Sequence, residues 1–172
     1  MGRALLLVDV IKDFEHEDGG RLLASFRERH AALVAALEGA RVSGVPVVYC
    51  NDVAGAWDSD APALVRRALA GQGGDLVAAV APRPGDTVVL KPRYSAFDET
   101  PLESVLRGLE VDELVVAGTA TERCVFQTAT DALRLGLDVS VRADACATVD
   151  EGLERLALDY LERVAGVRIE GR

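Results

Sequence analysis

Three residues far apart in the chain carry side chains that could act together as a nucleophile and its activators: Asp9, Lys91 and Cys124. Cys124 follows the β-branched run Leu114-Val115-Val116-Ala117, which ends at Gly118 and passes through the small-residue turn Thr119-Ala120. Thr121 is a good N-cap, so the spacing predicts a helix with Cys124 at its third position. Unpaired N–H groups and the helix dipole favour a thiolate there, and the same N–H groups suit an oxyanion. Taken singly, each residue also has a plainer role. A cysteine can be a small buried hydrophobe, Asp9 can cap a turn, and Lys91 can stand in solvent. Taken together, the carboxylate can accept the thiol proton and return it to a leaving amine, while the ammonium favours the thiolate.

These residues need elements to bring them together. Ala4 to Val8 reads as a buried strand ended by Asp9. Helical spacing of Leu23, Phe26, Leu33 and Leu37 predicts a helix over about Arg21 to Arg41. Val45 to Cys50 and Thr87 to Lys91 read as strands, separated by short helices over 61–70 and 75–81. Thr100-Pro101-Leu102-Glu103 has the form of a capping box. Strand four is expected over Glu113 to Ala117, the cysteine helix to about Leu135, and strand five over Leu137 to Val141, with Cys146 in the loop beyond. A second capping box, Thr148 to Glu151, opens a helix whose apolar face is expected to be Leu153, Leu156, Ala157, Tyr160, Leu161 and Val164. Val167 to Ile169 reads as a last strand.

Strands alternating with helices predict an α/β fold, a three-layer α/β/α sandwich on a six-stranded, mainly parallel sheet in the order 3-2-1-4-5-6. In such a sheet ligands bind beyond the carboxyl ends of the strands, where the order reverses. Here that point lies between strands one and four, which end near Asp9 and Cys124. Lys91 ends strand three, two positions away, about 10 Å at ordinary strand spacing and within partial reach of a lysine stem.

Bulk properties narrow the function. The 172 residues suit a single domain, 1–172. A net charge of −9 argues against nucleic acid and against an anionic membrane surface. Leu5 to Val8 is too short for a signal segment, and no apolar run approaches membrane-spanning length. Three cysteines without paired spacing point to a reducing cytoplasm. Strand one is followed by Asp9-Val10-Ile11-Lys12-Asp13-Phe14, without the glycine-rich loop of a nucleotide-binding domain.

Three blocks, Ala4 to Phe14, Leu90-Lys91-Pro92-Arg93-Tyr94-Ser95-Ala96-Phe97 and Gly118 to Val125, resemble the isochorismatase-like cysteine hydrolases, a family that includes nicotinamidases and N-carbamoyl amidases. The resemblance implies a triad of Asp9, Lys91 and Cys124, a cis peptide between Thr119 and Ala120, and an oxyanion hole from the backbone N–H groups of Ala120 and Cys124. It implies a supporting role for Asp13. Nicotinamidases of this type hold a metal through an Asp-x-His pair after strand two and a further histidine. This chain has Asn51-Asp52-Val53-Ala54 there, and its two histidines, His16 and His30, lie upstream. No metal and no cofactor are therefore expected, and nicotinamide is disfavoured. Isochorismatases proper lack the cysteine, which disfavours vinyl-ether hydrolysis. The expected activity is cleavage of a C–N bond in a small amide or ureido (carbamoyl) substrate through a thioester. The alternative is a catalytically silent member serving as a thiol-redox sensor or assembly subunit. Phe14, Asn51, Asp52, Trp57, Tyr94 and Phe97 are pocket candidates. The partner is a small molecule, and the family implies a homo-oligomer.

Overall fold

The computed structural model describes residues 2–53 and 60–172; Trp57 lies outside them. The strands are β1 (Gly2–Val8), β2 (Val47–Asp52), β3 (Thr87–Lys91), β4 (Val111–Thr119), β5 (Asp138–Ala147) and β6 (Arg168–Glu170). They form one sheet, ordered β3-β2-β1-β4-β5-β6, and every pairing is parallel. The helices are α1 (Gly19–Val42), α2 (Ala61–Ala70), α3 (Gly74–Val80), α4 (Leu102–Gly108), α5 (Phe126–Arg134) and α6 (Glu151–Arg163). Right-handed crossovers place α1–α3 on one face and α4–α6 on the other.

The central strands show why the sheet is covered on both sides. Ala4 to Val8 are all buried, without alternation, as a parallel strand between two helical layers requires. On α1, Leu22, Phe26, Leu33 and Leu37 point into the core; Leu22 rather than Leu23 begins the buried stripe. Gly118, at the end of β4, has φ +130°, and a Cβ there would stand 2.1 Å from the Val8 carbonyl oxygen. Only glycine lets the ends of β1 and β4 approach this closely.

Three local expectations are corrected. Strand β5 continues to Ala147, so Cys146 is a fully buried strand residue and not a loop residue. Helix α6 is capped by Asp150, whose side chain accepts from the Leu153 N–H, and Thr148 braces that cap through Asp150 instead. Its inner face is Glu154, Ala157, Leu158 and Leu161. Leu153, Leu156, Tyr160 and Val164 are more than 45% exposed, because the helix is rotated to bring Glu154 inward.

Candidate active site

The ends of β1, β2, β3 and β4 converge at the place where the strand order reverses. Asp9, just past β1, adopts φ 52°, a left-handed conformation in which aspartate is more tolerated than most residues. Its backbone is fixed on both sides: its N–H donates to the Cys50 carbonyl at 3.0 Å, and its carbonyl accepts from the Thr119 hydroxyl at 2.9 Å. Its Oδ1 accepts from the Asp52 N–H at 2.6 Å. Its Oδ2 pairs with Lys91 Nζ at 2.8 Å.

Lys91 is fully buried. An ammonium has three protons and no acceptor, and this one has three acceptors: Asp9 Oδ2, the Arg93 carbonyl at 2.9 Å, and Cys124 Sγ at 3.4 Å. Burial pulls the Lys91 pKa down, but Asp9 and then Cys124 outweigh it, and the net shift is upward. The lysine is held as a cation spanning carboxylate and sulfur.

The peptide bond between Thr119 and Ala120 is cis. Beyond it the chain makes a π-helical turn, Thr121–Val125, before α5 begins. This corrects the expected α-helical N-terminus. Ala120 precedes the turn as its cap, and its carbonyl accepts from the N–H groups of Arg123 and Val125, passing over Cys124. The Thr121 hydroxyl does not cap the turn; it reaches Glu154 and the Ala147 carbonyl.

Burial, then the Asp9 charge, push Cys124 up to about 12, against the downward pull of Lys91, and hydrogen bonding to Asp9 adds to the rise. Lys91, which favours the thiolate, is shared between the sulfur and the Asp9 carboxylate. Burial also pushes Cys50 and Cys146 up to about 12.

The pocket candidates divide. Tyr94 and Asp52 line a cavity of about 330 Å³ with Arg93, Asp98 and Gln127. Gln127 lies three residues after Cys124, in the first turn of α5. Asn51 and Asp52 line a second cavity of about 550 Å³ with Lys12, His16 and Arg67; of these rim residues, only Lys12 lies in a sequence motif. Asn51, however, is committed to structure: its side chain accepts from the Ile11 N–H and donates to the Ile11 carbonyl. Phe14 is buried, its ring 5.4 Å from that of Phe26. Phe97 lines a separate small depression with Leu106, Val111 and Leu137. Phe14 therefore packs into the core, while Phe97 faces that depression. Asp13 pairs with Arg67 at 2.7 Å and caps the Glu15 N–H, bracing the loop after β1. His30 bonds the Leu76 carbonyl from the face of α1.

Asn51 spends its amide on Ile11, and among the described residues no cluster of three or more His, Cys, Asp or Glu side chains is arranged to hold an ion. Nor is any described helix long and apolar enough to cross a membrane.

Residues 3–169 match the family described as the isochorismatase domain. YaaI, an isochorismatase family protein of Bacillus subtilis (strain 168), is 32% identical over 163 residues, covering 94% of this chain and 90% of that protein. The ureidoacrylate amidohydrolase RutB of Cronobacter sakazakii is 34% identical over 158 residues, 74% of this chain and 67% of the enzyme. Among solved structures, N-carbamoylsarcosine amidase from Thermoplasma acidophilum superposes with a TM-score of 0.74 at 28% identity, covering 99% of this chain and 96% of that one. The nicotinamidase/pyrazinamidase PncA of Bacillus subtilis gives 0.80 at 26% identity, covering 99% and 100%.

Proposed function

This chain belongs to the isochorismatase family and is an isochorismatase-like hydrolase; from that premise we propose that it cleaves a C–N bond of a small amide or ureido substrate, with Cys124 as nucleophile. The observation that carries the reading is the Lys91 ammonium bridging Asp9 and Cys124 in a buried site. Similarity to a ureidoacrylate amidohydrolase and an N-carbamoylsarcosine amidase supports the ureido class.

In this reading the thiol rests protonated, in line with its upward shift, and that shapes the mechanism. Sulfur adds to the substrate carbonyl as its proton passes to Asp9, so no free thiolate accumulates. The backbone N–H groups of Ala120 and Cys124 receive the oxyanion. The tetrahedral adduct collapses with cleavage of the C–N bond, and Asp9 returns its proton to the departing ammonia or amine. Water then attacks the thioester, Asp9 takes its proton, and collapse releases the acid and restores the thiol. Throughout, Lys91 keeps the acceptors in place and offsets the negative charge that moves between sulfur and carboxylate.

Tyr94, Asp52 and Gln127 line the substrate cavity in this reading. The enzyme works in the cytoplasm, where its three free cysteines stay reduced. It self-associates, for which the exposed apolar row on α6 is the supporting feature. The sensor or assembly-subunit alternative is not favoured by relatives that carry hydrolase names. Cys124→Ala abolishes turnover in a screen of small amides and ureido acids, and intact-mass analysis traps the acyl adduct only in the wild type. Turnover retained by Cys124→Ala refutes the covalent scheme.

A further inference from the structure

Glu154 is a buried carboxylate, 6% exposed, that the mechanism does not use. It lies on the inner face of α6 and accepts both arms of the Arg29 guanidinium, at 2.7 and 2.9 Å. Such a forked pair fixes orientation as well as distance. Its Oε1 also accepts from the Thr121 hydroxyl at 2.9 Å, and Thr121 opens the turn that carries Cys124.

Arg29 has a reason to be there. Strand β6 pairs only with Ser140 to Arg142 of β5, so the rest of β5 runs on beyond that partner. Arg29 reaches the Ala143 and Cys146 carbonyls at 3.1 and 2.7 Å. One point therefore joins α1, the far end of β5, α6 and the first residue of the nucleophile turn.

We propose that Glu154 and Arg29 are positioning residues that set Cys124 and the N–H groups of Ala120 and Cys124 by anchoring Thr121. The inference rests on the hydrolase reading above. Thr121 directly follows Ala120 and lies three residues before Cys124, so a shift of its anchor moves both halves of the oxyanion hole. A misplacement of about 1 Å can cost roughly a hundredfold in rate. A second staple keeps the turn folded when the first is cut: Glu122 accepts from the Thr148 hydroxyl at 2.7 Å and from the Val149 N–H at 3.1 Å.

The test uses the full chain and two readouts. Thr121→Val keeps the shape and removes the hydroxyl; Glu154→Gln removes the charge and one arm of the fork. Each lowers kcat at least about tenfold, with KM within about threefold. Thr121→Ser restores kcat, and the double variant is no worse than the poorer single one. The pH midpoint for iodoacetamide labelling of Cys124 moves in the same variants, and this readout needs no substrate. Leu37→Ala, a core change away from the turn, provides the control at matched thermal stability. An unchanged kcat and labelling profile overturns the proposal, as does a loss no greater than the control shows. Should the wild type turn over nothing in the screen, the hydrolase reading fails and labelling alone decides: a moved midpoint upholds the anchor, an unmoved one overturns it.

Discussion

Substituting Asp9→Asn should make Cys124 more reactive toward iodoacetamide while making the enzyme slower. Asparagine keeps an oxygen for the Asp52 N–H but removes the carboxylate that pushes the thiol up and neutralises Lys91. Lys91 Nζ lies 3.4 Å from the sulfur. At an effective dielectric of about 20, a full charge at that distance is worth about 5 kcal/mol. At about 1.36 kcal/mol per unit this is roughly 3.5 pH units, an upper bound because burial still opposes ionisation. If about 2 units are realised, the thiolate fraction at pH 8 rises about a hundredfold. A less basic sulfur is a weaker nucleophile by about tenfold over that range. The net expectation is labelling about tenfold faster at pH 8, with turnover reduced at least about a hundredfold by loss of the general base. Peptide-resolved mass spectrometry separates Cys124 from Cys50 and Cys146, and Lys91→Met, which removes a downward pull on the thiol, should slow labelling. Labelling of Cys124 in Asp9→Asn no faster than in the wild type would refute the view that the carboxylate holds the thiol proton.

Gly118→Ala should cost at least about 3 kcal/mol in urea unfolding, since its Cβ would collide with the Val8 carbonyl in a backbone conformation that disfavours side chains; a loss under 1 kcal/mol, within the ~0.5 kcal/mol scatter of neutral changes, would contradict the close approach. Asn51→Ala leaves the Ile11 N–H and carbonyl without their partner and should cost about 2–4 kcal/mol, read as a lower denaturation midpoint at unchanged slope. Hydrogen bonding to Arg142 holds Asp144 below the usual carboxylate range. A depressed carboxylate contributes stability that is present above its unfolded value, about 3.9, and is lost as pH falls through the lower folded value. Arg142→Gln should therefore be less stable than wild type at pH 6 and indistinguishable from it once both carboxylate states are protonated; a difference that persists unchanged in acid would reject the linkage.

Sheet order and element sequence were legible because continuous apolar runs and helical spacing are local signals. So was the meeting of Asp9, Lys91 and Cys124, since strand ends at a reversal of order must converge. What escaped depends on neighbours. Thr121 looked like a helix cap until a distant carboxylate on α6 took its hydroxyl. The expected thiolate considered the helix dipole and Lys91 but not burial and the Asp9 charge, which push the thiol up. The α6 face was misread because the pattern counts apolar residues and gives no weight to a buried Glu154 bonded to Arg29, a residue 125 positions away. Phe14 and Phe97 follow strand ends, yet their rings turn toward the core or another depression.

Lys91 ends β3, and β3 is an outer strand of the sheet, hydrogen-bonded along one side only, to β2. Peripheral strands open more readily than central ones, without global unfolding. Each such excursion withdraws the ammonium from a sheet that stays otherwise intact, leaving Asp9 and Cys124 behind as an unassisted acid and thiol. In the proposed mechanism, catalysis would then depend on how tightly this five-residue strand is held. During synthesis β1 must likewise wait for β4, more than a hundred residues later, before the Asp9 carboxylate and the Cys124 sulfur meet.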